Sequence, residues 1–232
     1  MVVLLLRSGA QTARMLLMAR LWPWGLRRHE EEFDRLAVLQ QLPDEADPQE
    51  ALQLVAAASA ASLPKGDKLG RSYLEEPSRH FGVKSARAGR IDHVRALLVW
   101  TDPDVRPSAV GGVTQHSGSA SGDTFVFAEL PQEVPWATMW FRPRNVPHDP
   151  ETQPTSSNPA FDDAFLWAGD DPERTLPPAV MDVLLEAERG LFAWNAFFDR
   201  QFCIHSTDSP DSDKGQADQM IPFAVSVARA YG

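Results

Sequence analysis

Read for the spacing of apolar residues, the chain divides into a helical beginning, a strand-rich centre and a helical end. "RRHEEEFDRLAVLQQL" sets Phe33, Leu36, Ala37 and Leu39 among charges and reads as a helix. In "DPQEALQLVAAASAASL", Asp47 is a good N-cap, Pro48 occupies the first helical position, and Glu50 falls where a capping box places its carboxylate. Residues 63–80 are polar, carry Gly and Pro, and read as a linker. From Phe81 the period changes. "HVRALLVWT" (93–101), "DTFVFAEL" (123–130) and "WATMWFR" (136–142) are rich in β-formers. In the third, Trp136, Thr138 and Trp140 point one way and Ala137, Met139 and Phe141 the other, which predicts a central strand covered on both faces. "GGVTQHSGSASG" reads as a flexible loop or hairpin tip, and 143–160 as an exposed loop.

"FDDAFLWAG" alternates and predicts a strand, with Phe161, Phe165 and Trp167 on one face and Asp163 near an edge. Asp170 and Asp171 precede Pro172, where carboxylates accept from the open amides of a helix start. Pro177 and Pro178 then begin a longer helix whose stripe is Val180, Val183, Leu184, Ala187 and Leu191. "LFAWNAFFDRQFCIHS" predicts two strands around a turn near Asp199 and Arg200. After an acidic loop (206–215), a final helix from Gln216 to Tyr231 turns Met220, Phe223, Ala224 and Val227 inward. The expectation is an α+β fold, an antiparallel sheet of about five to seven strands packed by N-terminal and C-terminal helices. The chain divides into a basic apolar segment (1–28), a helical segment (29–62), a linker (63–80) and the α+β domain (81–232).

Composition changes this picture at one point. The chain carries −10, yet residues 1–29 hold Arg7, Arg14, Arg20, Arg27 and Arg28 and no acid. That segment is +5, which leaves −15 for residues 30–232. The arginines interrupt the apolar runs, so a spanning helix does not fit. A secretory signal would place its charge before its apolar run, the reverse of the order here. An interfacial helix fits better, with Trp22 and Trp24 at headgroup depth and the arginines toward anionic lipid. The alternatives are a helix docked on its own domain or one facing a protein partner. The acidic balance disfavours nucleic acid. Cys203 is the only cysteine, so no internal disulfide forms, and a reducing compartment is expected.

The order of features has a likeness. An arginine pair opening a helix ("LRRHEEEFDRLA"), the turn "DEADP", a strand-rich centre, "FDDAF", and then "DDPERTLPPAVMDVLL" resemble an uncharacterised actinobacterial domain of unknown function. The resemblance covers roughly residues 27–232 and implies a membrane-proximal cytoplasmic domain, with no reaction. Members of that family often carry membrane spans just upstream of the arginine pair, where this chain has its arginine-interrupted segment.

Motifs that carry chemistry are sparse. "GSASG" (118–122) has Ala120 where a nucleophile elbow needs serine, which leaves Ser119 or Ser121 with His116 as a weaker arrangement. Cys203 and His205 are two apart on an expected strand and so leave the same face, but zinc wants three or four ligands. No phosphate-binding glycine motif is present and no cofactor is expected. Two functional readings follow. One is a non-enzymatic interaction domain, cytoplasmic and peripheral on the inner membrane face through its basic N-terminus. The other is a hydrolase or metal-dependent enzyme using the loop around His116 with Cys203 and His205.

Overall fold

The computed structural model describes residues 40–64, 66–101, 122–143, 146–151, 153–169, 171–207 and 216–232. Among them, six strands form one antiparallel sheet: β1 (Asp44–Glu45), β2 (Val83–Ile91), β3 (Val94–Thr101), β4 (Thr124–Phe141), β5 (Phe165–Gly169) and β6 (Trp194–Ser206). The helices are α1 (Pro48–Ala61), α2 (Lys68–Glu75), α3 (Pro77–His80), α4 (Pro159–Ala164), α5 (Pro172–Thr175), α6 (Pro178–Leu185) and α7 (Gln216–Arg229).

The two longest strands are bent double and nested. β6 folds back at Asp199 and Arg200, with Asp199 in the left-handed region (φ 50°) that a two-residue hairpin loop favours. Ala193 N donates to His205 O at 2.8 Å, Trp194 stacks on His205 at 4.6 Å, and Phe197 meets Phe202 at 4.8 Å. β4 wraps around this hairpin. Its first half, Thr124 to Glu129, pairs with Ser206 to Gln201; Ala137 to Met139 pair with Phe197 to Asn195. β3 lies against the outside of the first half and β5 against the outside of the second. Pro131 and Pro135 fall at the bend, where the ladder is irregular and missing amide donors do least harm. The expected turn near Asp199 is therefore present, and the two separate strands expected at 123–130 and 136–142 are the arms of one element.

Both faces are covered, by helices from opposite ends of the chain. On one side Leu98, Val126, Met139, Phe197, Phe202 and Ile204 pack with Met220, Ile221, Ala224 and Val227 of α7. On the other, Leu97, Val99, Phe125, Phe127, Trp194 and Cys203 pack with Ala51, Val55 and Ala58 of α1. The alternation along Phe125, Val126 and Phe127 sends successive side chains to different cores, as strand geometry requires. Thr138 Oγ1 donates to Ala61 O at 2.6 Å and ties the end of α1 to the sheet.

Four expectations are corrected. Residues 63–80 are not a bare linker: they hold α2, capped by Asp67 through Leu69 N at 2.7 Å, and α3. "FDDAFLWAG" is a strand only from Phe165. Its first half lies in α4, because Asn158 accepts from the amides of Ala160 and Phe161 and Pro159 starts the turn. Asp163 is thus an exposed helical residue. α6 ends at Leu185, so Ala187 and Leu191 lie beyond the helix that was to carry them. Asp47 caps α1 as expected, through Gln49 N at 2.9 Å, but Glu50 does not complete a capping box.

Glu50 instead forms a two-pronged pair with Arg95 of β3, at 2.6 and 2.7 Å, and so fastens α1 to the sheet. The hydrogen bond to Arg95 holds the Glu50 carboxyl below the ordinary glutamate value of 4.5. The folded-state pKa is depressed, so the pair contributes fully above the unfolded value and is lost as the pH falls through the folded one. Both side chains are about one third exposed, which limits the contribution to about 1 kcal/mol or less. Glu50→Gln is expected to lower the urea midpoint more at pH 7 than in acid, where the wild-type carboxyl takes up its proton; an equal effect at both would show that the ion pair contributes nothing.

Candidate functional site

The two candidate residues that fall within the described fold are on β6, and both are sealed in. Cys203 and His205 do leave the same face, as their spacing requires. Cys203 is fully buried in the α1-side core, and burial pushes its thiol well above the ordinary value. A thiol held neutral is a poor nucleophile and a poor metal ligand. His205 is 5% exposed, between Trp194 at 4.6 Å and Phe125 at 4.7 Å, with Nε2 3.5 Å from Asp123 Oδ2. Nδ1 of His205 is buried without a hydrogen-bond partner among the described residues. No group of three or more His, Cys, Asp or Glu side chains comes together to hold a metal among them. His116, Ser119 and Ser121 lie outside the described residues, as do Arg7, Arg14, Arg20, Trp22, Trp24, Arg27 and Arg28. No helix among the described residues is long and apolar enough to cross a membrane.

One nucleophile–base contact escaped the sequence reading. Ser72 Oγ of α2 lies 2.7 Å from Nε2 of His80, whose ring packs edge-on against Tyr73 at 5.0 Å. The third member of a triad is missing: Nδ1 of His80 is buried and meets no acceptor among the described residues. The contact closes α3 back onto α2, and that local role accounts for it.

Two arginine constellations dominate the polar structure, and neither was legible as a motif. The first is Arg142, 4% exposed just past β4. It donates to the carbonyls of Asp162 and Phe165 at 2.8 Å each, to Pro147 O at 3.2 Å and to Gln153 Oε1 at 2.8 Å, and it contacts His148 Nδ1 at 3.2 Å. Its own carbonyl accepts from Arg189 at 2.8 Å. This node fastens the loop after β4 to the start of β5. It is a structural clamp, with its donors already satisfied.

The second lies at the end of the sheet where the tight turns gather. The β2–β3 tip, the bend of β4, the turn of β6 and the end of α7 surround a depression of about 440 Å³. Its lining includes Arg90, Arg95, Arg200, Arg229 and His93, against Asp92 and Glu129. Four of the twelve Lys and Arg side chains among the described residues therefore meet here, on a chain whose overall balance is acidic. Arg90 and Arg95 stand directly opposite one another across β2 and β3, a like-charge pair that disfavours folding. Glu50 neutralises Arg95, whereas Arg90 donates to the His93 carbonyl at 3.1 Å. Arg200 donates to Leu130 O at 3.3 Å and Pro131 O at 3.4 Å, with Glu129 farther off at 3.7 Å. Arg229 pairs with Asp92 at 2.8 Å.

No family model, no curated protein and no solved structure matches this chain.

Proposed function

We propose that this chain is a non-enzymatic interaction domain, held at an anionic membrane surface by its basic N-terminal segment. The observation that carries this reading is the partition of charge, +5 in residues 1–29 against −15 in the rest. Arg7, Arg14, Arg20, Arg27 and Arg28 supply attraction to anionic headgroups, about 1 kcal/mol each near the surface. Trp22 and Trp24 supply interfacial burial. The acidic body is repelled from the same surface within a Debye length, which keeps it off the lipid and open to a partner. On this reading the protein is cytoplasmic and peripheral. The competing enzyme reading is weakened because Cys203 and His205 are buried on the sheet, where no substrate reaches them.

Co-sedimentation with phosphatidylglycerol vesicles tests the proposal. The full chain is expected to pellet, and to do so less as salt rises. A chain beginning at Arg27, and a full chain with Arg7, Arg14 and Arg20 changed to Gln, are expected to stay largely in the supernatant. Equal pelleting of all three, or of none, would remove the basis of the membrane contact.

A further inference from the structure

We propose that the arginine-lined depression at the turn end of the sheet binds a small ligand carrying a phosphate or carboxylate group, with Arg90 and Arg200 as its principal donors and His93 at its rim. None of the residues that line it belongs to the N-terminal segment.

The four cations differ in what neutralises them. Arg95 is spent on Glu50 through two short bonds, and Arg229 on Asp92. These two pairs build the walls. Arg90 and Arg200 differ from them. Each guanidinium is aimed by neutral backbone carbonyls, His93 O for Arg90 and Leu130 O and Pro131 O for Arg200. A carbonyl orients a guanidinium without cancelling its charge, and each group has further N–H donors in its planar fork. Glu129, at 3.7 Å and with Arg200 half exposed, compensates Arg200 only partly. Arg90 is exposed opposite Arg95, and with Arg95 already paired to Glu50 it is the Arg90 guanidinium that faces an incoming anion in this corner. A depression of about 440 Å³ falls in the range of small-molecule sites.

The turn residues set the position of the rim. Asp92 and His93 both take left-handed backbone, at φ 49° and 70°. Two-residue hairpin tips of this kind favour Asn-Gly or Asp-Gly, since glycine takes φ > 0 without strain. Here histidine stands where glycine would be easier, and its exposed imidazole is carried to the rim of the depression. Aspartate and histidine both tolerate this region better than most side chains, and the conformation sets the imidazole beside the two arginines.

Isothermal titration of the full chain with inorganic pyrophosphate and with citrate, at low salt, tests the site. One saturable site is expected for at least one probe, weakened by salt and about tenfold or more by Arg90→Gln. Arg71→Gln, on exposed α2, is expected to bind as the parent does. His93→Gly is expected to raise the melting temperature by a few degrees while weakening the probe, opposite signs that a purely structural turn would not give. Absence of saturable binding by both probes, or affinity indifferent to Arg90→Gln in a folded variant, overturns the proposal. If instead Arg90→Gln lowers pelleting of the full chain on phosphatidylglycerol vesicles while neither probe binds, the depression faces a lipid headgroup and the small-ligand assignment fails. Loss of membrane binding in the N-terminal arginine variant, with pyrophosphate binding intact, separates the two proposals of function.

Discussion

Arg142→Ala is expected to destabilise the fold by about 4 kcal/mol. The side chain is almost fully buried, and its guanidinium satisfies the carbonyls of Asp162 and Phe165 in the interior. Removing it leaves both acceptors in a place water does not reach, at about 1–3 kcal/mol each. It also frees Pro147 O and Gln153, which hold the loop after β4. Arg142→Lys is expected to recover only a small part, because one ammonium cannot reach acceptors spread around a planar fork. Urea unfolding gives the magnitude, and amide exchange is expected to rise first between residues 146 and 158. A loss under about 1 kcal/mol would mean that the acceptors find other donors.

The second large effect concerns a close approach of backbones. A Cβ at Gly89 would lie 2.4 Å from Gln41 O and 2.9 Å from Leu42 Cα, well inside van der Waals contact. Here the chain crosses over β2 and drives Leu42, fully buried, into the α7-side core. Gly89→Ala therefore lifts that crossing and partly withdraws Leu42, an expected loss of about 2–3 kcal/mol. Leu42→Ala is expected to lose a similar amount through the cavity it leaves. Because both act on one contact, the double variant should lose clearly less than the two single losses added together. Full additivity in urea unfolding would show that Gly89 and Leu42 act separately.

How much of this was legible in the sequence depends on the range of the cause. Local causes were readable. Asp47 and Pro48 start α1, Asp171 and Pro172 start α5, and Met220, Ala224 and Val227 mark the inner stripe of α7. The double-faced apolar run from Trp136 to Phe141 correctly marked a central strand, since apolar residues on both faces need cover on both. Causes that act across the chain were not readable. Glu50 has the right spacing for a capping box, yet Arg95, 45 residues on, offers it two charged hydrogen bonds. Gly66 and Gly70 disguised the helix at 68–75, although Gly70 is where α2 approaches Ala60 of α1 (3.5 Å to its carbonyl for an added Cβ). The alternation from Phe161 to Trp167 mimicked one strand, because the cap at Asn158 lies outside the alternating window. The arginine site was invisible for the same reason. Its members come from two hairpin tips, a strand bend and a helix end, and only folding makes them neighbours.

The nesting of β6 inside β4 has a consequence for how the protein is made. Synthesis proceeds from the N-terminus, so β4 emerges some fifty residues ahead of the strand that fills its middle. Until residues 194–206 leave the ribosome, both arms of β4 present open inner edges to whatever is near. A nascent chain stopped before Trp194 is thus a sheet with its centre missing, sticky along two borders. Translation must run almost to the end before the fold has anything to close.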